Sequence, residues 1–267
     1  MSVITRLLWL LLVATASILA TASSSTLSDP DRGMNRAIGI EEPWTESAFY
    51  LSSARDNDPG PGYSWNVGAE WDLALSPRWG VEVDFPGVLM TVPIGRAPST
   101  LAPVTVGLKA VPWQEGSADT ANAGVLGLEV EGSYWHHPLP QDFPGAGSSL
   151  AAQILLGLRR HRVFLQGEYG WGQHLSADAR SGWFADTALG YAFARRWAGQ
   201  MEVDLNHLGV QADGATSLEG SLVPQIDWHA SDRLHLALGE SFTHVTGQEG
   251  VDSATDLLLE YSFYDDH

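Results

Sequence analysis

From Tyr63 to Leu75 the chain alternates without a break. Tyr63, Trp65, Val67, Ala69, Trp71, Leu73 and Leu75 are apolar or aromatic, and Ser64, Asn66, Gly68, Glu70, Asp72 and Ala74 are polar, acidic or small. A period of two belongs to an extended strand with unlike faces, one against an apolar phase and one against water. The pattern recurs near 79–89, 103–112, 123–135, 149–159, 162–172, 182–193, 197–206, 217–229, 233–243 and 254–263. A weaker copy at 46–53, with Phe49 and Leu51 on the apolar face, brings the count to twelve.

The connections alternate as well. Pro77, Arg160-His161, Ala194 to Arg196 and Ala230 to Asp232 are short turns. The stretches at 90–102, 136–148, 173–181, 207–216 and 244–253 are longer and rich in Gly, Pro, Ser and Asp, as is Arg55 to Pro61. The Gln114 to Thr120 connection falls on the short-turn side but is not tight. Aromatic residues gather at two levels: Trp79, Trp113, Tyr191, Phe193, Trp197, Trp228, Tyr261 and Phe263 near the short turns, and Tyr63, Trp65, Phe85, Tyr134, Tyr169, Trp171, Trp183 and Phe242 near the long connections. Amphipathic rings concentrate at the two interfaces of a bilayer. An even number of antiparallel strands, short turns at one end and two aromatic belts together predict a transmembrane up-and-down β-barrel. A secreted sandwich or lipocalin-like barrel would turn its aromatics into a core, and would leave the acidic face of nearly every strand unexplained.

The N-terminus fits export. Arg6, an apolar run from Leu7 to Ala20 and the small residues of Ala20-Thr21-Ala22 read as a secretory signal over residues 1–22. Residues 23–45 lack periodicity and read as a periplasmic lead-in or a small plug segment, residues 46–263 as the barrel, and 264–267 as an overhang. With no cysteine there is no lipid-attachment site, disulfide or thiolate chemistry. A net charge of −18 speaks against nucleic acid as a partner, and aromatics at 10% speak against disorder.

Parity assigns the inward face, and that face is acidic: Glu70, Asp72, Glu82, Asp84, Glu129, Glu131, Glu168, Asp186, Glu202, Asp204 and Asp227, with Glu219, Asp256 and Glu260 beyond them. Lys109 and Arg159 are the main bases of the same parity. A turn centred on Pro77 sets Asp72 opposite Glu82 and Glu70 opposite Asp84. The same counting sets Asp186 against Asp204 and Asp227 against His235. Like charges opposed on one sheet face are destabilising unless water, a cation or a proton intervenes, or bases such as Arg32, Arg36, Arg96 or Arg180 reach in. The set implies a hydrated, negative lumen preferring cationic or neutral small solutes, with no cofactor and no enzymatic site.

Other chemistry is weaker. His136-His137 heads a proline-rich loop without the further ligands a metal centre needs. His174 and Ser176 resemble the His/Ser pair of outer-membrane lipid-modifying hydrolases, but parity turns them inward, away from lipid. A barrel serving surface display or anchoring through its loops is a third reading.

The signal, the alternating strands, the turn lengths and the last strand (Leu257, Leu259, Tyr261 and Phe263 outward) resemble Gram-negative outer-membrane β-barrel proteins. Within that class the chain is most similar to small transporters of the kind encoded beside phenol-degradation pathways. The resemblance implies a channel in the cell outer membrane, with outer-membrane lipids, the assembly machinery and small solutes as partners. Such barrels usually end on an aromatic residue, whereas here Tyr264-Asp265-Asp266-His267 follows Phe263.

Overall fold

The structure, a computed structural model, describes residues 37–57, 63–92, 100–101, 104–116, 122–134, 148–174, 181–208, 216–231, 233–247 and 249–263. The signal segment, most of the lead-in, His136-His137, Ser176, the arginines at 32, 36, 96 and 180, and the last four residues lie outside the described residues.

Twelve long antiparallel strands close into a barrel, and no helix occurs among the described residues. In chain order they are β1 (Ala48–Asp56), β2 (Tyr63–Ser76), β3 (Trp79–Val92), β5 (Val104–Glu115), β6 (Asn122–Tyr134), β7 (Ser149–Arg160), β8 (Val163–His174), β9 (Ser181–Ala194), β10 (Trp197–Leu208), β11 (Ser217–His229), β12 (Leu234–Val245) and β13 (Asp252–Ser262). A two-residue strand, β4 (Thr100–Leu101), adds to the end of β3. Each long strand pairs with its neighbour in sequence, and β1 pairs with both β2 and β13, so the ladder has no free edge between the long strands. Closure matters because hydrocarbon offers no partner to an unpaired N–H or C=O.

The alternation survives as burial. Along β7 exposed and buried residues alternate from Gln153 to Arg160, and β5 alternates from Val104 to Val111. Outward side chains stay exposed although apolar, among them Leu128 at 44%, Ile154 at 45% and Leu238 at 50%. On a soluble protein such a band would be an aggregation surface; on a barrel it is the lipid face. Both belts lie in that exposed set, Trp79, Trp113, Tyr191, Phe193 and Phe263 at one rim and Trp65, Phe85, Tyr134, Trp171 and Trp183 at the other.

Strand prolines sit where the ladder is irregular. Pro112 falls in the register shift of β5 between Ala110 and Trp113, and the β11–β12 register skips Pro224, which has no N–H to give. At the β7–β8 turn His161 takes a left-handed φ of 53°. The other short turns place Arg78, Arg196 and Arg233 so that their carbonyls accept Val111, His229 and Ser262 N–H.

The register differs from the sequence reading at one hairpin. Asp227 lies opposite Ala237, and His235 opposite His229, a shift of two residues. The connection after His229 is wider than a tight turn, with Ala230 N and Ser231 N both donating to the Leu234 carbonyl. Another difference is the last long connection, which shrinks to the six residues between β12 and β13 because both strands run further than their alternation suggests.

Arginine at Leu238 or Leu128 should cost ~2–4 kcal/mol in lipid, and arginine at Phe263 on the rim ~0–1 kcal/mol. Urea unfolding in vesicles, followed by tryptophan fluorescence, measures the difference; equal costs would contradict the lipid-facing assignment.

Candidate functional site: an acidic lumen and its inserted segment

The inward faces form three levels. At the short-turn end Val111, Ala123, Val125, Phe164, Ala192 and Ala198 form an apolar cluster with Trp44, which precedes the first strand, beside the buried polar side chains of Arg159, Asp227 and His235. At the long-connection end the lining is polar, around a cavity of about 280 Å³ bordered by Asp56, Asn66, Ser241, Thr243 and Asp252. Most of the predicted carboxylates lie between, while Asp227, opposite Ala198, sits at the short-turn level.

Residues 37–46 run inside the barrel. Their backbone has no strand partner, yet four of its donors are met by inward side chains. Ala37 N donates to Gln166 Oε1 at 2.9 Å, Ile38 N to Gln225 Oε1 at 3.0 Å, Gly39 N to Glu202 Oε2 at 3.3 Å and Glu41 N to Glu168 Oε2 at 2.8 Å. A buried donor left unpaired costs about 1–3 kcal/mol, so these four acceptors decide whether the segment can lie there. Apolar packing adds to them: Ile40 meets Ala37 and Ala188, and Ile38 packs on Ala48, Tyr50, Ala237 and Leu258. Room comes from glycine. A side-chain carbon on Gly157 would meet Pro43 and Trp44 at 2.9 Å, and one on Gly127 would meet the Pro43 carbonyl at 3.1 Å.

The first hairpin has the register expected of it, with Asp72 opposite Glu82 and Glu70 opposite Asp84. Asp72 and Glu82 are buried, whereas Glu70 and Asp84 are half-buried. Lys109, on β5, reaches between the strands: its Nζ is 3.9 Å from Asp72, 3.8 Å from Glu82 and 3.7 Å from Glu129. One ammonium thus faces three carboxylates. Gln153 Nε2 bonds Glu129 at 3.3 Å and Glu131 at 2.6 Å, tying the next two acids together.

The remaining acids divide by surroundings. Glu168 and Glu202 hold the inserted segment. Asp186 faces Asp204 in the ladder and accepts Leu205 N–H at 3.2 Å. Asp227 is wholly buried in a polar network: Gln200 and Gln225 donate to it at 3.2 and 3.0 Å, and His235 Nε2 lies 3.4 Å away. The ring of His235 also contacts Glu260 through Nδ1 at 3.0 Å, so histidine and Asp227 meet diagonally despite the shifted register. Just before β1, burial first, and then the charges of Glu260, Glu42 and Asp72, push the Glu46 carboxyl well above its ordinary range; Tyr50 donates its hydroxyl to it. His174 ends β8 opposite Ser149.

Parity therefore finds the carboxylates but not their occupants. Of the eleven, Asp72, Glu82, Glu129, Glu168, Asp186, Glu202 and Asp227 are buried rather than bathed in an open pore. Sequence reasoning also misses Gln166, Gln200 and Gln225, all buried and all inward. The available signal was their parity, which they share with Glu168, Glu202 and Asp227.

No protein-family model and no curated protein matches the sequence. Solved structures do. An outer membrane channel from Pseudomonas putida F1 superposes with a TM-score of 0.63 at 10% identity, over 86% of this chain and 100% of that one. The NanC porin does so with a TM-score of 0.54 at 9% identity, over 80% of this chain and 100% of that one. At such identities the shared property is the fold, that of outer-membrane β-barrel channels.

Lys109→Met should destabilise the barrel by about 3–5 kcal/mol, because three buried carboxylates lose their ammonium. Asp72→Asn with Glu82→Gln should leave it at least as stable as the parent, since Glu129 still pairs Lys109. Guanidinium unfolding in micelles distinguishes these outcomes.

Proposed function

We propose that the protein is an outer-membrane channel for passive passage of small solutes, with a lumen that prefers cations and a removable obstruction formed by residues 37–46. The observation that carries the reading is the acidic level midway through a closed barrel, where Asp72, Glu82 and Glu129 share the single ammonium of Lys109. A surplus of negative charge with low-dielectric walls concentrates cations and repels anions. The barrel fold shared with outer-membrane channels supports the location and the general role.

Residues 37–46 act as the plug. The segment lies in the lumen on hydrogen bonds from single strands and on the packing of Ile38, Ile40 and Trp44, with no ladder of its own, so it can leave without unzipping the barrel. The apolar cluster around Trp44 and Phe164 would suit uncharged aromatic solutes, such as the sequence resemblance to phenol-pathway transporters implies.

Planar-bilayer recording under a KCl gradient tests the reading. The expected reversal potential shows cation preference, and Trp44→Ala should raise the conductance while the barrel stays folded. Asp72→Asn with Glu82→Gln should reduce the preference. Anion preference, or no conductance in either the parent or the Trp44→Ala protein, would refute the channel.

A further inference from the structure

We propose that Glu82, Glu129 and Glu131 form a binding site for a single hard divalent cation of the calcium and magnesium class. The inference deepens the acidic-lumen reading by naming a seat where such a cation is held.

Three adjacent strands build the seat. Glu82 on β3 and Glu131 on β6 both register with Gly107 on β5, which lies between them. Gly107 has no side chain, so the row Glu82–Gly107–Glu131 has a hollow at its centre. The carboxylate of Glu129 fills its edge: Glu129 Oε1 comes to 2.5 Å from where a side-chain carbon on residue 107 would stand, and the stem of Glu82 is 3.3 Å from that same point. One oxygen from each of Glu82, Glu129 and Glu131 lies within 4.8 Å of the other two. A cation placed among them completes a set made of oxygen alone, which selects hard ions over zinc or copper.

A second observation points to a ligand. Glu82 and Glu129 are 2% and 1% exposed, and both Glu82 Oε2 and Glu129 Oε1 are buried with no hydrogen-bond donor. Buried carboxylate oxygens ordinarily take at least one donor, pair with an opposite charge or bind a metal. Lys109 does not close the account: at 3.7 to 3.9 Å it is an ion-pair neighbour of Asp72, Glu82 and Glu129 rather than a hydrogen-bond donor at short range. It also sits on the Oε2 side of Glu129, leaving Oε1 over Gly107. Gln153 meanwhile donates to Glu129 Oε2 and Glu131 Oε1, orienting both carboxylates from behind as outer-shell partners of metal ligands do. Glu131 is half-buried and gives the ion its route in, with water completing the coordination.

The site also touches the inserted segment. Glu82 belongs to a second close triad, with Glu70 and with Glu41 of that segment. A cation on Glu82 lowers the repulsion Glu41 meets there, so binding and seating of the segment favour each other.

The probe is Mn2+, read by electron paramagnetic resonance on the full-length barrel in detergent after chelator treatment, with Ca2+ and Mg2+ as competitors. The expected result is one saturable Mn2+ per chain with Kd at or below roughly 10⁻³ M, displaced by Ca2+. Glu129→Gln and Glu131→Gln should each weaken it about tenfold or more, and Asp252→Asn at the far rim should leave it unchanged. Glu131 is half-buried, so its variant carries the test if Glu129→Gln fails to fold. Non-saturating binding, or equal loss in Asp252→Asn, means a diffuse ion atmosphere and overturns the site. Absence of binding, with Glu82 and Glu129 sharing a proton instead, also overturns it. The readout uses no current: a barrel that binds Mn2+ but never conducts refutes the channel and keeps the site, while a conducting barrel that binds none refutes the site alone.

Discussion

Pairing of β1 with both β2 and β13 is the contact on which the rest of the structure depends. It joins the ends of the sheet, and only a closed ladder satisfies every backbone group in hydrocarbon. Once closed, the barrel has two environments and each strand residue must belong to one of them. Leu128 and Leu238 are exposed because lipid is their solvent. Glu129, one residue from Leu128, is buried because it points the other way. The belts, the levels of the lumen and the position of every candidate residue follow from that separation.

Inside, the same physics recurs on a smaller scale. Residues 37–46 bring peptide groups into a space without a strand edge, and side chains supply the acceptors that a ladder would have supplied. Glu168 and Glu202 do so with charge, Gln166 and Gln225 without it. A carboxylate that accepts a backbone N–H is partly neutralised by that bond, which is one reason so many acids can share a narrow interior. Lys109 is another, and the network around Asp227 and His235 a third. The lumen is therefore a set of groups compensated locally by hydrogen bonds and ion pairs.

The wall and the inserted segment are held in different ways. The barrel wall is held by ladders that cannot open one bond at a time without exposing peptide groups to lipid. The inserted segment is held by single hydrogen bonds and by the apolar packing of Ile38, Ile40 and Trp44. Losing those contacts exposes polar groups to water in the lumen, which is far cheaper than exposing them to hydrocarbon.

Strand number, inward and outward faces, the belts and the Asp72–Glu82 and Glu70–Asp84 pairs were all determined by the sequence alone, because a period of two is a local property and a tight turn fixes register across one hairpin. Register at Asp227 was not legible, since the turn after His229 is wider than its residues advertise. The partners of the acids were legible only as parity. Lys109 was known to point inward, but its approach to three carboxylates from three different strands depends on the curvature of the closed wall. The course of residues 37–46 was not legible at all, because an aperiodic segment takes its conformation from whatever donors, acceptors and hollows surround it. Tertiary structure alone brought together Gly39 with Glu202, Trp44 with Gly157 and Glu129 with the space over Gly107, contacts between residues far apart in sequence that no local pattern encodes.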